Sequence, residues 1–192
     1  MKKYKDKKQY RYKGYDYSKD GLYFVTICTK DRELYFGDII NEKMRLSRIG
    51  RAVERFWLEI PKHFPFVELD EFVIMPNHIH GIIEIARDAE IQNVGTQNVG
   101  TQNVGTQNFV FLQEEYQNKL GPQSKNLSSI IRGFKIGVKK FCTNNNVIFA
   151  WQSRFYDRII RNEKELNNIR QYIIDNPLKW ELDRNNPVNL FM

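Results

Sequence analysis

Apolar positions along the chain recur with two alternating periods. Residues 22–29 (LYFVTICT) are β-branched, aromatic and apolar, follow Asp20-Gly21, and predict a strand. A polar turn over 29–32 leads to a short second strand within 34–40, and 41–45 turn into another extended piece. From Ser47 to Ile60 the period changes. Ile49, Val53, Phe56, Trp57 and Ile60 fall on one stripe of a helix, with Pro61 expected to end it. Residues 66–75 (FVELDEFVIM) alternate partially, Pro76-Asn77 interrupts, and 78–85 (HIHGIIEI) resume, which predicts a hairpin. A second helix is expected over 126–142, with Leu127, Ile130, Ile131, Phe134, Val138 and Phe141 on one face. Residues 147–161 read as a strand, straight or bent. Asn162 with Glu165 resembles a capping box opening a third helix, whose stripe is Leu166, Ile169 and Ile173 and whose end is Pro177.

The order strand, helix, strand, strand, helix, strand, helix predicts an α+β fold. Its form is a ferredoxin-like split βαβ: an antiparallel sheet, helices on one face, the other face left free for a ligand, and an added C-terminal helix. One domain is expected over 20–183, after an arm (1–19) and before a C-terminal tail (184–192). Residues 92–108 repeat QNVGT three times and read as an expanded loop without an apolar face.

Composition narrows the class. The 192 residues are 41% hydrophobic and 28% charged, ordinary for a globular chain. No apolar run approaches the ~20 residues of a membrane span, and no signal peptide is evident. Cys28 and Cys142 make no disulfide framework or zinc-ligand spacing, so a cytoplasmic setting without membrane association is expected. Net charge is +7, and the excess sits in the arm, where eight Lys or Arg face two acids. Lys3, Lys5, Lys8, Arg11 and Lys13 alternate there with tyrosines, a composition suited to phosphate contact and base stacking, or to a solubilising tail. Arg132, Lys135 and Lys139 form a cationic stripe on the second helix, either solvated or phosphate-facing, and Arg154 is a further candidate.

Two constellations carry candidate chemistry. His78 and His80 lie two apart on a strand, so both imidazoles share one face, where they can chelate a divalent ion or be structural. Tyr172 and Asn176 lie four apart on the third helix and share one of its faces. An amide oxygen suits Mg2+ or Mn2+, and a tyrosine one turn away is a potential nucleophile. Tyr156, in RFYDR, competes but has no such helical partner.

MPNHIHGII contains two histidines around a large apolar residue, and with it the chain resembles the single-tyrosine HUH transposases, in particular the REP-associated tyrosine transposases. The likeness extends through YKGYDYSKDGLYFVTICTKDR, LSSIIRGFK and WQSRFYDRIIRNEKELNNIRQYIIDNPLKWELD. It implies a ferredoxin-like fold and metal-assisted cleavage of single-stranded DNA, often beside a hairpin. A covalent 5′-phosphotyrosine intermediate then allows rejoining, the chemistry of DNA transposition. Carried over, His78, His80 and Asn176 hold Mg2+ or Mn2+, and Tyr172 is the nucleophile. Two imidazoles and an amide are softer than Mg2+ usually prefers, so Mn2+ is expected to serve at least as well. Such proteins act as monomers or homodimers. The alternatives are a hairpin nucleic-acid-binding protein without catalysis and a metal-dependent phosphodiesterase that uses water.

Overall fold

The computed structural model describes residues 15–87 and 125–191. The arm cations Lys3, Lys5, Lys8, Arg11 and Lys13 and the QNVGT repeat lie outside them. Four strands form one antiparallel sheet: β1 (Gly21–Cys28), β4 (Val67–Met75), β5 (His78–Ile85) and β6 (Tyr156–Ile160). Their order is β4-β5-β1-β6, which is the split βαβ arrangement expected from the sequence. A separate hairpin pairs β2 (Gly37–Ile40) with β3 (Lys43–Leu46).

The helices are α1 (Arg48–Leu58), α2 (Ile60–His63), α3 (Leu127–Asn144) and α4 (Glu163–Ile174). Ser47 caps α1 by accepting from the amides of Ile49 and Gly50. Pro61 does more than end that helix: lacking a donor, it cannot continue α1, but it is accepted in the first turn of α2. Residues 147–155 are irregular, touching the sheet through a single Thr29–Trp151 bridge, so only 156–160 become strand.

The sheet is covered on both faces. Odd positions of β1 and β5 (Tyr23, Val25, Ile27; Ile79, Ile83, Ile85) enter the main core with Trp57 of α1 and Ile130, Phe134 and Val138 of α3. Even positions (Leu22, Phe24; Ile82) meet Ile169 and Ile173 of α4. The face expected to be free is thus partly roofed by the third helix, because its two isoleucines need burial and that face supplies it. Tyr15 and Tyr17 of the arm also pack on Tyr23, edge-on and tilted, so these two rings serve the core rather than a ligand. Among the described residues no helix is long and apolar enough to cross a membrane.

Gly81 allows the close fit beneath the histidines. A Cβ there would sit 2.3 Å from the ring of Trp57, which is fully buried. The Gly81→Ala variant is expected to lose about 1–3 kcal/mol from this overpacking, read as a lower urea midpoint.

Candidate active site

His78 and His80 point to the α4 side of the sheet because Ile79, between them, and Gly81, after them, face the main core. Both rings are buried, and their Nε2 atoms converge to 3.0 Å. What lies behind each ring decides its protonation. Asn77 is buried, and its Nδ2 donates to the carbonyls of Arg32 (2.9 Å) and Asn185 (2.8 Å). Its amide orientation is therefore fixed, and Oδ1 faces His78 Nδ1 at 2.8 Å. An amide oxygen only accepts, so His78 carries its proton on Nδ1 and presents a lone pair at Nε2. Behind His80, the Thr26 hydroxyl lies 2.9 Å from Nδ1. Burial pushes the His78 pKa well below its usual range, assisted by repulsion from His80, Arg32 and Arg184. Burial, with the charge of Arg184, pushes His80 down to about 3. Both imidazoles are neutral near pH 7, the form that binds a cation.

Helix α4 delivers the tyrosine. Asn162 accepts from the Glu165 amide at 2.9 Å, while Glu165 accepts from the amide of Arg161 rather than of Asn162, one residue earlier than a capping box requires. Ile169 and Ile173 dock the helix on the sheet. A β-bulge between Leu69 and Phe72 brings Asp70 to Arg170, whose Nε donates to it at 2.9 and 3.2 Å while the terminal NH2 group makes a further bond. The Tyr172 hydroxyl then stands 3.2 Å from His80 Nε2, with the Phe24 ring edge-on to its own. Asn176, one turn on, is buried, and its Oδ1 has no hydrogen-bond partner among the described residues. Burial raises the Tyr172 pKa, while a hydrogen bond from Asn176 and the charge of Arg184 work against it.

Sequence reasoning missed Asp183. It follows the 3-10 turn Pro177–Leu182 and places Oδ2 at 3.6 Å from His78 Nε2, its side chain 9% exposed. His78, His80 and Asp183 are a compact potential metal cluster. The histidine lone pairs, the Asp183 carboxylate and the orphan oxygen of Asn176 fit a divalent cation. The carboxylate makes the donor set harder than two imidazoles and an amide. No sequence spacing marks Asp183. The nearest clue is its place in a polar run after the third helix (DRNN, 183–186), of which Asn185 and Asn186 are buried although 184–192 read as a tail.

The expected cationic stripe lies elsewhere. Lys135 donates to the carbonyls of Gln152 (2.8 Å) and Arg154 (3.0 Å), and Lys139 to that of Phe149. Burial lowers the Lys135 pKa to about 8. These two ammonium groups tie α3 to the irregular segment 149–154, and Arg132 and Arg154 stay exposed. A groove of about 730 Å³ runs between α3 and that segment, with none of His78, His80, Tyr172 or Asn176 in its lining.

No protein-family profile matches the chain. It is 42% identical over 178 residues to an uncharacterized Haemophilus influenzae protein, spanning 91% of this chain and 89% of that one. A second H. influenzae protein, named "Putative REP-associated tyrosine transposase", is 26% identical over 165 residues, spanning 85% and 74%. Among solved structures, a REP-associated tyrosine transposase bound to a REP hairpin superposes with a TM-score of 0.56 at 20% identity, covering 91% of this chain and 76% of that one. The latter likeness is one of fold.

Two outcomes follow from the geometry. Asn77→Ala releases the His78 ring and is expected to weaken Mn2+ binding about 10–100-fold in calorimetric titration, with His78 itself intact. The Arg170 contact holds the Asp70 pKa below the usual carboxylate range, so the folded state releases that proton more readily than the unfolded chain. Its stabilisation is full above the ordinary carboxylate pKa and is lost as pH falls through the depressed one. Arg170→Met is expected to cost about 1 kcal/mol at pH 7 and to flatten the acid limb of a stability–pH curve.

Proposed function

We propose, on the 26% identity to a protein named a REP-associated tyrosine transposase and on the shared fold, that the chain is a transposase of that kind and that it cuts and rejoins single-stranded DNA through Tyr172. The observation that carries this reading is the Tyr172 hydroxyl at 3.2 Å from a buried, neutral histidine pair. His78, His80 and either Asn176 or Asp183 would hold Mg2+ or Mn2+. Such an ion supplies Lewis-acid polarisation of a non-bridging phosphate oxygen.

The chain's own groups have distinct tasks. The Tyr172 oxygen attacks phosphorus, its bond to phosphorus forms, and the bond to the 3′-oxygen breaks. A 5′-phosphotyrosine and a free 3′-OH result. A protonated tyrosine is a poor nucleophile, and burial makes ionisation harder still. The Asn176 hydrogen bond and the Arg184 charge favour the phenolate, against the Asp183 charge. Phe24 keeps the ring edge-on, and the Arg170–Asp70 pair holds α4 against β4, so the hydroxyl keeps its aim. Reversal by another 3′-OH rejoins the strand without an external energy source, because the phosphodiester energy is retained in the tyrosyl linkage.

The substrate is single-stranded DNA, taken beside a hairpin in the cytoplasm by a monomer or a homodimer. Exposed Arg132 and Arg154 would add phosphate contacts away from the histidines, together with Lys3, Lys5, Lys8, Arg11 and Lys13 of the arm.

The test is a denaturing gel of protein with Mn2+ and single strands from both flanks of its own gene. A metal-dependent, detergent-stable protein–DNA band is expected, lost in Tyr172→Phe and in His78→Ala. Cleavage surviving Tyr172→Phe would assign a hydrolase, and tight hairpin binding without cleavage a binding protein.

A further inference from the structure

Beside Tyr172 the sheet face remains open toward β6. A cleft of about 640 Å³ lies there, lined by Phe24, Tyr156, Arg158, Asn168, Tyr172 and Arg184 among others. Its size is that of a small-molecule site, about 300–1,000 Å³. β6 is the outer strand of the sheet, and register places Tyr156 opposite Thr26 and Arg158 opposite Phe24, on the face that carries His80.

The lining has a consistent chemistry. Arg158, Lys164 and Arg184 are its cations and Glu165 its carboxylate. Glu165 is already paired with Arg158 at 2.6 Å, while Arg184 and Lys164 have no ion pair among the described residues. The charge of Arg184 acts on Tyr172 and on both histidines, which places it beside the chemistry. Tyr156 is 37% exposed, and Phe24, which lines the same cleft, stands edge-on to Tyr172. An exposed ring, an uncompensated guanidinium and an amide around one concavity match the parts of a nucleotide: a π-face, a phosphate and a polar base edge.

We propose that this cleft receives one unpaired nucleotide of a DNA strand, with its base on Tyr156 and its phosphate toward Arg184. Tyr172 lines the cleft while its hydroxyl reaches His80, so this nucleotide would neighbour the phosphate that is attacked. Tyr156, the competing tyrosine in the sequence, thereby acts as a stacking platform that positions the strand. The proposal rests on the reading of Tyr172 as a nucleophile toward single-stranded DNA.

The test uses Tyr172→Phe protein, so that no strand is cut. Single strands from both gene flanks carry 5-iodouracil at one thymine at a time, and photo-crosslinked peptides are sequenced by mass spectrometry. An adduct on Tyr156 is expected from one position. In fluorescence anisotropy with the same strands, Tyr156→Leu is expected to weaken binding about tenfold and Tyr156→Trp to retain it, since Leu keeps bulk without a π-face. Melting curves establish that both variants fold. Strands that bind, cross-link only outside the cleft and bind Tyr156→Leu as well as the parent would overturn the cleft and leave the nucleophile standing. Absence of binding to either flank would overturn both readings.

Discussion

β5 is a central strand buried on both faces, and its side chains must alternate between two interiors. Ile79, Ile83 and Ile85 fill the larger one, which forces His78 and His80 into the smaller one under α4. A slip of one residue would put two imidazoles among isoleucines and phenylalanines and would expel the isoleucines that hold α1 and α3. The register that closes the core is therefore also the register that forms the site. Gly81 belongs to the same constraint. On the core side of Gly81, next after His80, stands the Trp57 ring, and it leaves no room for a side chain.

The site is completed by chain far from β5 in sequence, and each arrival has a physical cause. α4 comes because Ile169 and Ile173 need burial, and the β4 bulge turns a carboxylate toward Arg170 at its side. The residues after α4 come because Asn77 donates to the carbonyl of Asn185 and Arg32 to that of Arg184. One buried amide thus sets the His78 tautomer and anchors the segment that carries Asp183 and Arg184. A single side chain thus orients one histidine of the cluster and holds the segment that brings Asp183 to it.

What was legible in the sequence was periodic. Period two placed His78 and His80 together, and a period of 3.6 placed Tyr172 with Asn176 and the docking isoleucines beside them. Asp183 was invisible because it sits after a 3-10 turn, where spacing carries no face, and reaches His78 only through closure of the tertiary fold. The helix on the supposedly free face was missed for a related reason: its apolar stripe was read, but a stripe does not say which side of a sheet it meets. Lys135 and Lys139 show the converse. A cationic stripe looks the same in sequence whether its ammonium groups meet phosphate or, as here, the carbonyls of an irregular segment that has no ladder of its own.

The electrostatics of the site pull in two directions, and this explains its composition. Burial keeps the histidines neutral, which suits a cation ligand, but burial also raises the Tyr172 pKa and disfavours the phenolate that the proposed attack would require. A drier site improves one function at the expense of the other. The opposition is relieved by unequal exposure: both histidines are 1% exposed or less, whereas Tyr172 is 45% exposed at the mouth of the cleft. The cost to the phenolate is eased by the Asn176 amide one turn away and by the Arg184 guanidinium, while the Asp183 carboxylate adds to it, and the Tyr172 pKa stays raised. These groups come from the end of α4 and the segment after it, neither of which contributes to the main core.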